Sequence, residues 1–156
     1  MTDNIALERS IREILFSRKV AVLATRGEEY PHACLVAFAL TEDISTLVFV
    51  TSLSTRKYAN IQESNRVTLL VDTRGNTEED FHDARAVSIQ GRARTAPISG
   101  EPFLKSLFLD RHPYLEDFVN SPTCVLVIVT VDSYALVSRF QNVLLLDMTH
   151  GPDRQP

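Results

Sequence analysis

The feature that most constrains this chain is a succession of short apolar runs rich in β-branched residues, each closed by a polar turn. Residues 20–25, 31–40, 47–51 and 67–71 all have strand length, and Arg26-Gly27-Glu28-Glu29 and residues 41–45 separate the first three. Branched and aromatic side chains pack well on a pleated surface, so such runs read as strands. Residues 85–94 alternate, with Ala86, Ser88, Gln90 and Arg92 set against Val87, Ile89, Gly91 and Ala93. A period of two predicts a strand with one face in water. Further on, 124–131 is strongly apolar, and 134–139 and 143–148 read as two more strands joined by a turn near Phe140-Gln141-Asn142.

Helical spacing marks fewer places. Ile5, Leu7, Ile11, Ile14 and Leu15 recur near a period of 3.6 with charges between them, predicting an amphipathic helix over 5–16. Residues 56–63 predict a short helix, 99–109 a third, and 111–121 a short helix or turn region broken by Pro113 and Pro122. The acidic stretch 72–83 reads as a loop with a helical turn at 77–82. Strands joined by short turns dominate, without βαβ alternation or a G-x-G-x-x-G. The expected class is mainly β, a barrel or sandwich with peripheral helices. The length of 156 residues suits one domain, here 1–150. The Pro/Gly/charge-rich end, 151–156, is expected to be a disordered tail.

Bulk properties exclude several functions. Formal net charge is −4, and no basic cluster is longer than Arg18-Lys19 or Arg56-Lys57, which argues against nucleic-acid binding. No apolar run approaches the roughly 20 residues of a spanning helix, and the first twelve residues lack the pattern of a signal peptide. Cys34 and Cys124 lie far apart in apolar stretches and read as buried thiols in a reducing compartment. A soluble, cytoplasmic protein is expected.

The strongest local feature is Val50-Thr51-Ser52-Leu53-Ser54-Thr55-Arg56-Lys57. A strand ends, hydroxyl residues follow, and a helix opens on two cations. A helix N-terminus leaves backbone N–H groups unpaired and favours an anion. Arg presents a planar fork for phosphate oxygens and Lys a point charge. The same residues equally describe an N-cap at Ser54 or Thr55 followed by two solvated cations. Local physics leaves both readings open.

At this point the chain resembles the split-barrel flavoproteins related to pyridoxamine 5′-phosphate oxidase. Tyr30-Pro31-His32-Ala33-Cys34-Leu35-Val36-Ala37-Phe38 is similar to the family's second strand. Residues 47–57 resemble its third strand and Ser-x-Arg-Lys segment. Asn60-Ile61-Gln62-Glu63-Ser64-Asn65-Arg66-Val67-Thr68-Leu69-Leu70-Val71 resembles the family's N-L-x-x-N-P-R-V-S-L-L-V, and Val87-Ser88-Ile89-Gln90-Gly91-Arg92-Ala93 its next strand. The resemblance implies a split β-barrel, antiparallel and Greek-key-like, that forms a homodimer with FMN at the interface. It implies that Arg56 and Lys57 hold the phosphate. Val50, Thr51, Ser52 and Ser54 would border phosphate and ribityl chain, the hydroxyls donating hydrogen bonds. His32, Ala33, Leu35, Val36 and Ala37 would run along the isoalloxazine, largely through backbone and small side chains. A flavin-dependent oxidoreductase acting on a small-molecule redox substrate is the activity implied, with no metal. A haem- or deazaflavin-binding relative, or a non-catalytic flavin-binding sensor or storage module, are the alternatives.

Departures from the oxidase pattern are equally informative. The chain has no Trp, and Arg139 is the one Lys or Arg in its last strands. Ala86 stands near where a flavin-contacting Gln would fall. Vitamin B6 oxidation is therefore not expected. His32, His82, His112 and His150 show no metal-ligand spacing. Cys34 reads as a packed thiol rather than a flavin contact, and Tyr30, Tyr58, Tyr114 and Tyr134 could stack or pack.

Overall fold

The computed structural model describes residues 2–139 and 141–149. Its elements run α1 (Thr2–Ser17), β1 (Val20–Thr25), β2 (His32–Ala37), β3 (Ala39–Leu40), β4 (Thr46–Ser52), α2 (Arg56–Glu63), β5 (Arg66–Asp72), α3 (Asp80–Asp83), β6 (Arg85–Ala96), α4 (Pro102–Arg111), α5 (Glu116–Val119), β7 (Cys124–Ser138) and β8 (Asn142–Asp147). The strands pair antiparallel in the order β2-β1-β5-β6-β7-β4-β3, and β8 adds to β7. β2 returns beside β4, but no ladder joins them. The sheet thus curls into a barrel left open along the β2–β4 seam.

Strand alternation decides what fills it. Leu23, Leu69, Ile89, Phe49 and Val129 point into one core with α1, which contributes Leu7, Ile11, Ile14 and Leu15 at helical spacing. Burial of a side chain of this kind contributes about 1.5–3 kcal/mol. The alternate residues of β4 and β7, Val48, Val50, Leu126 and Ile128, form a second core with Leu104, Phe108 and Val119 under α4 and α5. Burial on both faces explains why these two strands are continuous apolar runs rather than alternating ones.

Several boundaries differ from the sequence expectation. Residues 124–131 and 134–139 are not two strands but one, β7, interrupted by a bulge. Gly91 pairs with Val131 and Gln90 with Ser133, so Asp132 is the extra residue. Val131 and Tyr134 both face the core although they are three residues apart, and this break in parity mimics a strand end. The expected strand 31–40 is two strands, broken at buried Phe38. Ile98–Gly100 is a separate 3-10 turn ahead of α4, and the helical turn expected at 77–82 lies at Asp80–Asp83. Phe140 and the 151–156 tail lie outside the described residues.

Two side chains tie the break at Phe38 to the helices. Arg111, at the end of α4, donates to the carbonyls of Leu15 (2.9 Å) and Arg18, supplying a cation to the C-terminus of α1, which has no basic residue in its last turn. Its guanidinium lies over the rings of Phe16 and Phe38. His112 is fully buried, and its Nε2 donates to the Phe38 carbonyl at 2.7 Å. Burial pushes its pKa down, and the nearby Arg111 and Lys19 charges push the same way against the Phe38 hydrogen bond. Tyr134 is also fully buried and donates to the Ile44 carbonyl at 2.7 Å. Burial, with Asp43 nearby, pushes its phenol up and keeps it a donor.

Candidate functional site

The end of β4 sets the site. Leu53 N–H donates to the Thr123 carbonyl at 2.9 Å, fixing where the chain leaves the sheet. Thr55 is extended (φ −86°, ψ 153°), and its hydroxyl accepts from the Tyr58 N–H at 3.3 Å, so Thr55 is the N-cap of α2. The same hydroxyl lies 2.8 Å from that of Thr51 and 2.9 Å from the Ser52 carbonyl. Ser52 and Ser54 hydroxyls are 3.1 Å apart at the exposed lip of the turn. This local network explains why a strand changes directly into a helix here.

Arg56 and Lys57 therefore occupy the first two helical positions. The first turn of α2 carries no acidic residue, and neither cation forms an ion pair with a carboxylate among the described residues. Two cations at a positive helix end raise each other's energy unless an anion sits between them. α2 is anchored from behind by buried Ile61 and by the Asn60 amide, which donates to the Thr25 hydroxyl at 3.0 Å.

Across from Arg56 stands the β1–β2 turn. It is drawn in at Gly27, where a Cβ would lie 2.1 Å from the Tyr30 carbonyl oxygen, so no larger residue fits. Between turn and helix is a cavity of about 360 Å³ lined by Tyr30, Pro31, His32, Arg56 and Asn60, among others. Glu28 and Glu29 also border it, yet neither comes within ion-pair distance of Arg56.

Along β2 the faces alternate. His32, Cys34 and Val36 pair with the inward residues Thr25, Leu23 and Ala21, whereas Ala33, Leu35 and Ala37 turn outward with Ala24, Val22 and Val20. The structure thus joins His32 and Arg56 at one cavity, whereas Ser52, Ser54 and Lys57 lie outside its lining, in the turn and first helical positions beside Arg56. Val36 and Val50 turn their side chains into the two cores, so any ligand contact from them is a backbone contact. Thr51 is buried, and its hydroxyl is engaged with Thr55. Cys34 and Cys124 are free thiols, Cys34 packed against the main core. Asn60 and Gly27, visible in the sequence as motif and turn residues, carried no site role there, and His112 carried no structural one. The Gly in the turn was the available signal for the first cavity wall, while His112 acts on a residue 74 positions away.

The family model described as pyridoxamine 5′-phosphate oxidase matches residues 7–134. The chain belongs to this family. Among solved structures, a heme-binding protein from Mycobacterium smegmatis superposes with a TM-score of 0.76 at 17% identity, covering 87% of this chain and 55% of that one. The chain thus spans little more than half the length of that relative. A protein from Clostridium acetobutylicum, related to general stress protein 26 of B. subtilis and described as of the pyridoxinephosphate oxidase family, gives 0.70 at 14% identity, covering 90% and 93%. A FAD-binding protein from Mesorhizobium loti gives 0.65 at 15%, covering 82% and 91%. At such identities the likeness is one of fold. No curated protein matches the sequence. Among the described residues no helix is long and apolar enough to cross a membrane.

Proposed function

We propose that the chain binds FMN as a homodimer and serves as a flavin-dependent oxidoreductase acting on a small-molecule redox substrate. The observation that carries this reading is the unpaired Arg56–Lys57 pair on the Thr55-capped helix, beside a strand whose exposed Ala33 lets a flat ring approach the backbone. The bound flavin would supply the electron or hydride transfer. The residues of this chain would bind and orient it: Arg56 and Lys57 at the phosphate, Ser52 and Ser54 at the turn, and His32, Ala33, Leu35 and Ala37 along β2. Val36, Val50 and Thr51 would contribute backbone groups.

Support for a second copy comes from the outer sheet face. Leu35, Val22, Leu70, Ser88, Ala135 and Leu145 follow one another across six strands, and Leu35 and Leu145 are each 70% exposed. Exposed leucines aligned across one sheet face support an interface with a second copy. Sedimentation should give a dimer that Leu35→Glu with Leu145→Glu dissociates.

FMN titration followed by flavin fluorescence tests the ligand. Replacing Arg56 and Lys57 together by Ala should weaken FMN by about 100-fold or more, from two charge-assisted contacts, and leave riboflavin unchanged. Equal loss for both ligands would refute the phosphate role. The heme-binding relative together with His32 in the cavity favours haem as a second reading. A Soret band in place of the flavin double band in the purified protein would decide for it.

A further inference from the structure

A larger cleft, of about 770 Å³, opens on the other side of the β1–β2 turn and meets the Arg56 cavity at Pro31, which lines both. Its floor includes Ala24, Thr68 and Gln90, and its charged lining is Arg26, Arg66, Arg92 and Asp132. The sheet register explains the cluster. Arg66 pairs directly with Arg92 across β5 and β6. Arg26 follows immediately on Thr25, the last residue of β1, which pairs with Val67, and so extends the same row into the β1–β2 turn. Arg66 and Arg92 thus stand side by side on adjacent strands spaced about 4.8 Å apart, with Arg26 next to them just past the end of β1.

Like charges directly opposed across a ladder are destabilising. Only one of the three is compensated. Asp132, the bulge residue of β7, takes Arg92 in a forked pair, accepting from Nη2 at 3.0 Å and from Nε at 3.2 Å. The bulge is what aims that carboxylate back across β6. Arg26 and Arg66 form no ion pair among the described residues. Glu28 and Glu63 share a neighbouring hollow with Arg26 without reaching ion-pair distance. The cleft itself therefore carries three positive charges and one negative, a surplus of two in a chain whose net charge is −4.

We propose that this cleft is a second anion site, separate from the Arg56–Lys57 segment, and that it takes a small dianion of the phosphate-ester or dicarboxylate class. Arg66 and Arg26 supply forked donors for the anionic oxygens. Arg92, held in place by Asp132, lends field and keeps the third guanidinium from swinging away. Thr68 and Gln90 offer neutral hydrogen bonds on the floor. The row lies four residues along the strands from Leu70 and Ser88, about 13 Å at the strand rise, so it sits beside the apolar row rather than within it.

Calorimetric titration of the full chain with inorganic phosphate and with succinate, at low ionic strength, tests this. The Arg56→Ala/Lys57→Ala background removes the first anion segment, so the outcome does not depend on the flavin reading. Saturable binding of either probe is expected in that background, and the tighter probe identifies the headgroup. Adding Arg26→Gln and Arg66→Gln should weaken it at least about tenfold, the weight of one charge-assisted hydrogen bond. Asp132→Asn should tighten it, because the cleft gains a net positive charge. Urea midpoints in the Gln variants at or above that of the background, as relief of like-charge repulsion requires, would show that the sheet is intact. No binding of either probe in that background, or binding indifferent to Arg26→Gln/Arg66→Gln, would overturn the proposal.

Discussion

Replacing Gly91 by Ala places a methyl group where the sheet leaves no room. A Cβ there would stand 2.5 Å from the Thr130 carbonyl oxygen and 2.7 Å from Val129 Cγ1. The Val129 side chain could turn, but the Thr130 carbonyl is backbone in a strand paired on both sides, with Thr46 of β4 and Arg92 of β6. Relief requires β7 to move away from β6 beside its bulge, where the register already shifts. Overpacking of this kind costs about 1–3 kcal/mol. For a domain of this size that lowers Tm by about 3–10 °C. Urea unfolding followed by far-ultraviolet circular dichroism should show a lower midpoint with an unchanged slope. Gly100→Ala is the control: nothing lies within 4 Å of its Cβ position, and the change should stay within about 0.5 kcal/mol. Equal responses of the two glycine variants would refute steric crowding at Gly91.

Thr55→Ala removes the α2 cap and should cost about 1 kcal/mol in the same assay while also weakening FMN; an unchanged FMN affinity would separate the cap from the ligand segment. Tyr134→Phe leaves the buried Ile44 carbonyl without its donor, at a residue whose φ of 52° is already unfavourable for a branched side chain, and should cost about 1–3 kcal/mol. His112 gives a pH dependence. Its pKa is lowered in the folded protein, so the unfolded chain takes up the proton first on acidification. Its contribution is complete above the ordinary histidine value near pH 6.5 and is lost as pH falls, by at most about 1.4 kcal/mol per unit. His112→Gln should flatten the decline of the urea midpoint below that pH, and identical slopes would exclude His112 as its source.

Much of the sheet was legible because one-face burial writes itself as alternation. β6 is the plain case: Val87, Ile89 and Ala93 go inward and Ser88, Gln90 and Arg92 outward. α1 was legible for the same reason at a different period. β7 was not, because the extra residue Asp132 reverses the alternation midway and makes one strand resemble two. The break at Phe38 left no local mark either. It is held by His112 and by the Lys19 carbonyl, which accepts from the Phe38 N–H at 3.3 Å, and both partners are remote from it in sequence. Within the candidate site, the change from strand to capped helix at residues 51–57 was visible in composition alone. The wall opposite Arg56 was visible only as a turn, since Gly27 gives no hint of which helix it faces. The Arg26–Arg66–Arg92 row needs the register of three strands, which no spacing along the chain conveys.

The seam between β2 and β4 has a consequence for how a ligand would be felt by the whole protein. Residues 49–52 of β4 pair only with β7, and β2 pairs only with β1. Alternate amides and carbonyls on the facing edges thus have no strand to complete them. A planar polar molecule lying in the seam would do the work of a missing strand, bridging the two ends of a sheet that otherwise never meet. Occupancy would then be read as slowed amide exchange at 33–37 and 49–52, together with a higher melting temperature, because closing the seam and binding the ligand would be the same event.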